Sequence, residues 1–206
     1  MIDKKISIVA ICGSLRKNSF TKKALTTVLK GSQEVGAETK LISLSEYNLI
    51  FCNGDNKDSD LPADVLKLRK EVKEADGILL GTPEYHGSYT GVLKNALDLM
   101  GFDEFEGKMI GLVGVSGGAM GALDALNSLR VVGRSLHSWV IPEQVSIPFV
   151  NKVFDSEGNV LNERIEQRLI SLGKQLARFS YLHSSEESKA FIKAWESAPN
   201  NPGADK

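Results

Sequence analysis

The chain has 206 residues, 42% hydrophobic and 25% charged, with a net charge of -1. That length buries a core without disulfide or metal staples and suits one large domain, or a domain with a tail. The near-neutral balance argues against a nucleic-acid binder, and no apolar run reaches the roughly 20 residues of a membrane span. The start, "MIDKKISIV", has no small-residue cleavage site after an apolar core, so no signal peptide is expected. Two cysteines and three scattered histidines offer no recognisable metal-ligand spacing. A reducing cytoplasm is the expected compartment, with a packing role for Cys12.

The first apolar run, Ile6 to Cys12, reads as a buried strand and stops at Gly13. A short polar loop follows, and then a helical pattern from Thr21 to about Val35, ending before Gly36. Lys40–Leu44 reads as a weaker strand and Pro62–Ala75 as a helix with Val65, Leu68 and Val72 on one face. Gly77–Gly81, "GILLG", is the third strand, followed by a helix over Val92–Met100. Met109–Val115, "MIGLVGV", is the fourth, followed by a helix over about Leu123–Val132 that should end before Gly133. Trp139–Ile141 is a weak fifth strand. Asn162–Phe179 is the clearest helix, with Ile165, Leu169, Leu172, Leu176 and Phe179 spaced four, three, four and three. Ser184 and Glu187 have capping-box spacing ahead of a short helix, and Pro199–Lys206 reads as a tail.

Apolar runs without alternation indicate strands buried on both faces. Strand–helix alternation predicts an α/β chain with a doubly wound five-stranded parallel sheet and helices on both faces. The expected division is a domain over residues 1–182, with a C-terminal helix and tail over 183–206. Right-handed crossovers put every strand-to-helix loop at one sheet edge. Three loops, distant in sequence, should therefore meet there.

The loop Gly13–Thr21 joins a buried strand to a helix start. Free backbone N–H groups and the helix dipole favour an anion at such a place. Ser14, Ser19 and Thr21 add hydroxyl donors and Arg16 a forked cation. The loop has one glycine, so it is neither the three-glycine dinucleotide motif nor a P-loop. The loop Thr82–Gly91, "TPEYHGSYTG", leaves its strand at Pro83. It carries Tyr85 and His86 at its mouth and lets backbone approach a flat ligand at Gly87. The loop Val115–Gly121, "VSGGAMG", suits a thin wall. Together they suit a planar heterocycle bearing one terminal phosphate.

"GSLRKNSFTKKAL", "PEYHGSYTGVLKNALD" and "GVSGGAMGA" resemble the signatures of the NADPH-dependent FMN reductase family, flavodoxin-like proteins that include quinone, azo-dye and chromate reductases. The similarity runs from about residue 6 to residue 180, and "WVIPEQVSIP" is similar to the family's final strand. It implies a flavodoxin-like fold with FMN as cofactor and NADPH, or NADH, as donor. Hydride would pass to flavin N5, and electrons then to a quinone, azo, metal-oxyanion or free-flavin acceptor. It implies that Ser14, Arg16, Ser19, Phe20 and Thr21 hold the FMN phosphate. Pro83, Glu84, Tyr85, His86 and Gly87 would line the ring, and Ser116, Gly117 and Gly118 would close its other side. The family often has Asn where this chain has Thr21 and His86. Tyr85 and His86 are the candidate modulators of a reaction whose chemistry the flavin carries. Arg16, Lys17, Arg130 and Arg134 are each candidates for a 2′-phosphate. A homodimer or homotetramer is implied, for which the apolar face Val92, Leu93, Ala96, Leu97 and Met100 and the stretch Leu49–Phe51 are the candidate surfaces. The alternative is a flavodoxin-like electron carrier without turnover. Such carriers are typically strongly acidic, which this chain is not.

Overall fold

A computed structural model describes residues 6–55 and 61–197. Five strands form one sheet in the order β2-β1-β3-β4-β5: β1 Ser7–Cys12, β2 Glu38–Ser43, β3 Gly77–Pro83, β4 Met109–Val115 and β5 Trp139–Ile147. Every neighbouring pair is parallel. The helices are α1 Phe20–Glu34, α2 Ala63–Lys73, α3 Gly91–Asp98, α4 Phe102–Phe105, α5 Leu123–Ser135, α6 Glu163–His183 and α7 Glu186–Glu196. The doubly wound α/β architecture is the one expected from strand–helix alternation.

Both faces of the sheet are covered, which is why the central strands β1, β3 and β4 lack polar alternation. Ile8, Ala10, Cys12, Leu79 and Val113 pack under α1 and α6. Val9, Ile11, Ile78, Leu80 and Leu112 pack under α2, α3 and α5. On the first face α1 and α6 touch backbone to backbone. A Cβ on Gly173 would lie 1.9 Å from Val28 O, and one on Gly31 would lie 2.2 Å from Ile170 O. Ser32 Oγ donates to Gly173 O at 2.9 Å across the same contact.

The structure corrects several expected boundaries. Leu44 belongs to a 3-10 turn, Leu44–Glu46, and not to the second strand. The helix expected to end before Gly133 runs through it to Ser135. Gly133 is there for proximity: its Cβ would meet Val140 Cγ2 at 2.5 Å. The left-handed residue past that helix is His137, with φ 57°. The fifth strand runs on from the apolar run Trp139–Ile141 to Ile147, as the similarity of "WVIPEQVSIP" to the family's final strand implies, and its register shifts between Ile110 and Leu112. The bulge accommodates Pro142, which has no N–H to give, on an edge strand. Ser184 does not cap α7. Its Oγ donates to Tyr181 O at 2.9 Å, while Ser185 Oγ accepts from Ser188 N–H at 3.1 Å. The four-residue α4 had no sequence signal of its own. Pro199–Lys206 lies outside the described residues.

The apolar surfaces considered for self-association are mostly core. Leu93, Ala96, Leu97 and Met100 are buried beneath the sheet. Leu49 and Ile50 pack on Leu61, Val65 and Leu99. Of that set, Phe51 is the residue that projects, 87% exposed.

Candidate functional site

The carboxyl ends of the parallel strands bring the three loops to one edge, and hydrogen bonds stitch them together. Gly13 N–H donates to Gly81 O at 2.8 Å, extending the β1–β3 ladder into both loops. Thr90 caps α3, its Oγ1 accepting from Leu93 N–H at 3.2 Å and donating to Gly13 O at 2.7 Å. Glu84 N–H donates to Val115 O at 2.9 Å, and the Glu84 carboxylate accepts from Ala125 N–H at 3.0 Å. Glu84 thus caps α5, whose own N-cap residue, Ala122, has no side-chain acceptor.

In the first loop Ser19 is the N-cap of α1, its Oγ accepting from Lys22 N–H at 3.1 Å. Ser14, Ser19 and Thr21 are buried, and Ser14 Oγ faces Arg16 N–H at 3.4 Å. Phe20 is half-buried and stacks on Phe154, with ring centroids 5.9 Å apart. Its packing role accounts for its place without a ligand. The N–H groups of Phe20 and Thr21 have no acceptor among the described residues. Residues 13–21 carry Arg16 and Lys17 and no carboxylate. A helix start that keeps two N–H groups without an acceptor beside cations, with acids excluded, fits a phosphate group. Cys12 Sγ lies 3.8 Å from Ser19 Oγ, and burial pushes its thiol above the ordinary value, so it stays neutral.

The tip of the second loop is a tight hairpin. Tyr85 and Ser88 exchange both backbone hydrogen bonds, at 3.0 and 3.2 Å. His86 and Gly87 between them have φ 52° and 75°. Positive φ at both central positions is the type I′ pattern. This explains the residue types: Gly takes that conformation freely, and His is among the side chains enriched there. It also leaves the His86 and Gly87 N–H groups without an acceptor among the described residues. Pro83 closes β3. Arg16 reaches across from the first loop, its guanidinium carbon 5.8 Å from the Tyr85 ring centroid.

In the third loop Ser116 N–H donates to Ile147 O at 2.9 Å and Ser116 Oγ accepts from Gly118 N–H at 3.1 Å. A Cβ on Gly117 would meet nothing within 4 Å, so Gly117 borders open space, while one on Gly118 would meet Ser116 Oγ at 3.7 Å. Phe149, with φ 44°, is held in that conformation by its N–H bond to Gly118 O at 3.1 Å.

A cavity of about 700 Å³ opens between the first two loops, walled by Leu15, Arg16, Tyr85, Thr90 and Val92. Its remaining wall, Leu44, Tyr47, Leu49 and Phe51, comes from the segment after β2, which sequence reasoning did not place in the site. Ser116, Gly117 and Gly118 are not among the residues that line this cavity. The available signal was four apolar residues in an irregular stretch, "YNLIF", but it read equally well as a surface for self-association. Tyr47 is fixed from behind. Its hydroxyl donates to Glu71 Oε2 at 2.5 Å, and Lys40 pairs with Glu71 Oε1 at 2.9 Å. Burial and the Glu71 carboxylate hold the Tyr47 phenol well above its usual range. Burial works against the charge on Glu71, but the bonds from Tyr47 and Lys40 outweigh it and hold that carboxyl below its usual value.

Two of the candidate cations for a 2′-phosphate are placed elsewhere. Arg130 is bound to Gln144 Oε1 and Pro142 O, both at 2.8 Å. Arg134 lies in the last turn of α5, toward the opposite sheet edge. Arg16 and Lys17 remain at the loops. Among the described residues no group of three or more possible metal ligands occurs, and no helix is long and apolar enough to cross a membrane.

The family model described as NADPH-dependent FMN reductase matches residues 6–152. The chain is 33% identical over 175 residues to an FMN-dependent NADPH-azoreductase of Staphylococcus saprophyticus, covering 82% of this chain and 92% of that protein. It is 35% identical over 139 residues to the protein of the same description in Staphylococcus aureus, covering 66% and 73%. Its structure is similar to FerB, a flavoenzyme NAD(P)H:acceptor oxidoreductase of Paracoccus denitrificans, with TM-score 0.71 and 26% identity over 86% of this chain and 98% of that one. An archaeal flavodoxin, at 18% identity and TM-score 0.58 over 84% and 97%, shares the fold.

Proposed function

The chain belongs to the NADPH-dependent FMN reductase family, whose cofactor is FMN and whose donor is a nicotinamide nucleotide, and from that premise we propose that its three stitched loops hold FMN and pass electrons from NADPH to an organic acceptor. The observation that carries this is the conjunction, at one sheet edge, of a helix start whose Phe20 and Thr21 N–H groups lie beside Arg16 with a hairpin whose two central N–H groups have no acceptor among the described residues.

In this reading Ser14, Arg16, Ser19, Phe20 and Thr21 hold the phosphate through loop amides, hydroxyls and one guanidinium. Pro83, Glu84, Tyr85, His86 and Gly87 border the ring on one side, and Ser116, Gly117 and Gly118 on the other. Glu84 does its part indirectly, by fixing the α5 end of the third loop. Bound FMN supplies the hydride-accepting centre and the route to the acceptor. The protein supplies fixed dipoles. The His86 and Gly87 N–H groups face outward from a rigid turn, where they stabilise negative charge at no reorganisation cost, as an oxyanion hole does. The side chains of Tyr85 and His86 stand at the same rim and modulate the site without being needed as acid or base.

Self-association and a cytoplasmic location belong to the same reading. Met120, Leu123 and Phe149 are exposed apolar residues beside the third loop, which supports a second copy packing near the site. An unpaired, exposed Cys52 fits a reducing compartment. One preparation tests the whole reading. Purified protein supplied with FMN should show a flavin spectrum that anaerobic NADPH bleaches, and should sediment as a dimer or tetramer. A colourless protein would refute the reading. A flavin spectrum that NADPH leaves unchanged would mean an electron carrier.

A further inference from the structure

The segment after β2 has no regular structure beyond the turn at Leu44–Glu46, yet it is anchored along its length. Tyr47 is tied to Glu71, and Lys67 Nζ sits 4.6 Å from the Tyr47 ring centroid. Asn48 N–H donates to Asp64 Oδ2 at 2.7 Å. Asn95 of α3 grips the chain on both sides of Phe51: its Nδ2 donates to Ile50 O at 2.9 Å and its Oδ1 accepts from Cys52 N–H at 3.0 Å. These bonds hold Phe51 in place although it is almost fully exposed, so burial of its own surface does not account for its position.

The wall so fixed is largely apolar, and most polar side chains beside it are already used, the Ser14 and Tyr85 hydroxyls on the loop side aside. Thr90 Oγ1 is bound to Gly13 O, the Asn95 amide to the segment itself and the Tyr47 hydroxyl to Glu71. Among the described residues Arg16 is the one charged residue lining the cavity. An inorganic oxyanion gives up hydration only to several directed donors, whereas a flat ring needs area and an aromatic partner.

We propose that Leu44, Tyr47, Leu49 and Phe51 form a prebuilt acceptor wall that selects flat, uncharged aromatic molecules such as quinones over inorganic oxyanions, and that Glu71, outside the cavity, is the positioning residue that fixes Tyr47. This rests on the flavin reading above. For a quinone the net step is NADPH plus a proton plus quinone giving NADP+ and hydroquinone, the electron pair coming from the nicotinamide.

The test uses FMN-loaded protein with 2-methyl-1,4-naphthoquinone and chromate as acceptors. Wild-type kcat/KM should favour the naphthoquinone. Tyr47→Ala and Phe51→Ala should each raise its KM about three- to tenfold, the scale of a lost aromatic contact, with kcat changing less. The rate of anaerobic flavin bleaching by NADPH should stay within about twofold. Glu71→Ala should raise the same KM, and adding Tyr47→Phe to it should do no further harm, because both remove one bond. Tyr47→Phe keeps the ring and serves if Tyr47→Ala does not fold. Unchanged KM values in variants that still bleach normally would overturn the acceptor wall and leave the flavin reading standing. Bleaching slowed as much as the quinone reaction would assign the wall to the nicotinamide and also overturn the proposal. Failure of the wild type to bleach would instead be failure of the flavin reading.

Discussion

Arg16 and Glu71 illustrate two ways in which a single charge matters. Arg16 stands on an open loop with the Tyr85 ring as its neighbour, so it is free to meet a phosphate. A charge-assisted contact of that kind contributes about 1.5–3 kcal/mol. Arg16→Ala should therefore raise the FMN dissociation constant roughly ten- to a hundredfold, measured by fluorescence titration. An unchanged constant would remove Arg16 from the phosphate site. Glu71 acts through Tyr47 and Lys40, and its carboxyl is held below the ordinary value. Its contribution to stability is therefore fully present above the unfolded value of about 4.3 and is lost as pH falls through the folded value. The gap in urea midpoint between wild type and Glu71→Gln should be open at neutral pH and should close as pH falls through the folded value. A gap that persists in acid would mean that the Glu71 charge is not what stabilises this network. Residue identity at the hairpin was legible in part: Gly87 was expected to allow close approach. The reason a histidine serves at position 86, a left-handed φ in a type I′ turn, needed the backbone.

At the scale of elements, periodicity located each long helix and each strand, and missed where neighbours decide. Gly133 read as a stop, but it is a contact point against β5. The apolar run of the fifth strand covered only Trp139–Ile141, but an edge position and a bulge let the strand run on past Pro142. The tightest element contact is between α1 and α6, where Gly173 faces Val28 O. A methyl group there has no space to enter, and both partners are backbone. Gly173→Ala should destabilise the fold by about 3 kcal/mol, at the upper end for overpacking, read as a lower urea midpoint with unchanged slope. Full stability would mean that the two helices separate at little cost. The same contact bears on the proposed function, because α1 carries the loop proposed to hold the phosphate.

For the whole molecule, doubly wound topology does the work of gathering. It sends residues 13–21, 82–91 and 115–121 to one edge, where backbone bonds from Gly13 to Gly81 and from Glu84 to Val115 join them. It sends the segment after β2 there too, giving a cavity bounded by two of the three expected loops and by Tyr47 and Phe51. By itself the sequence determined the order of strands and helices, the parallel sheet and the three loops, because burial on both faces and helix periodicity are written in consecutive residues. Only the tertiary structure decided that Glu84 caps α5, that Arg130 is occupied by Gln144, and that Tyr47 lines the cavity beside the loops. Each of those depends on partners distant in sequence, and local pattern carries no record of which distant group a side chain will meet.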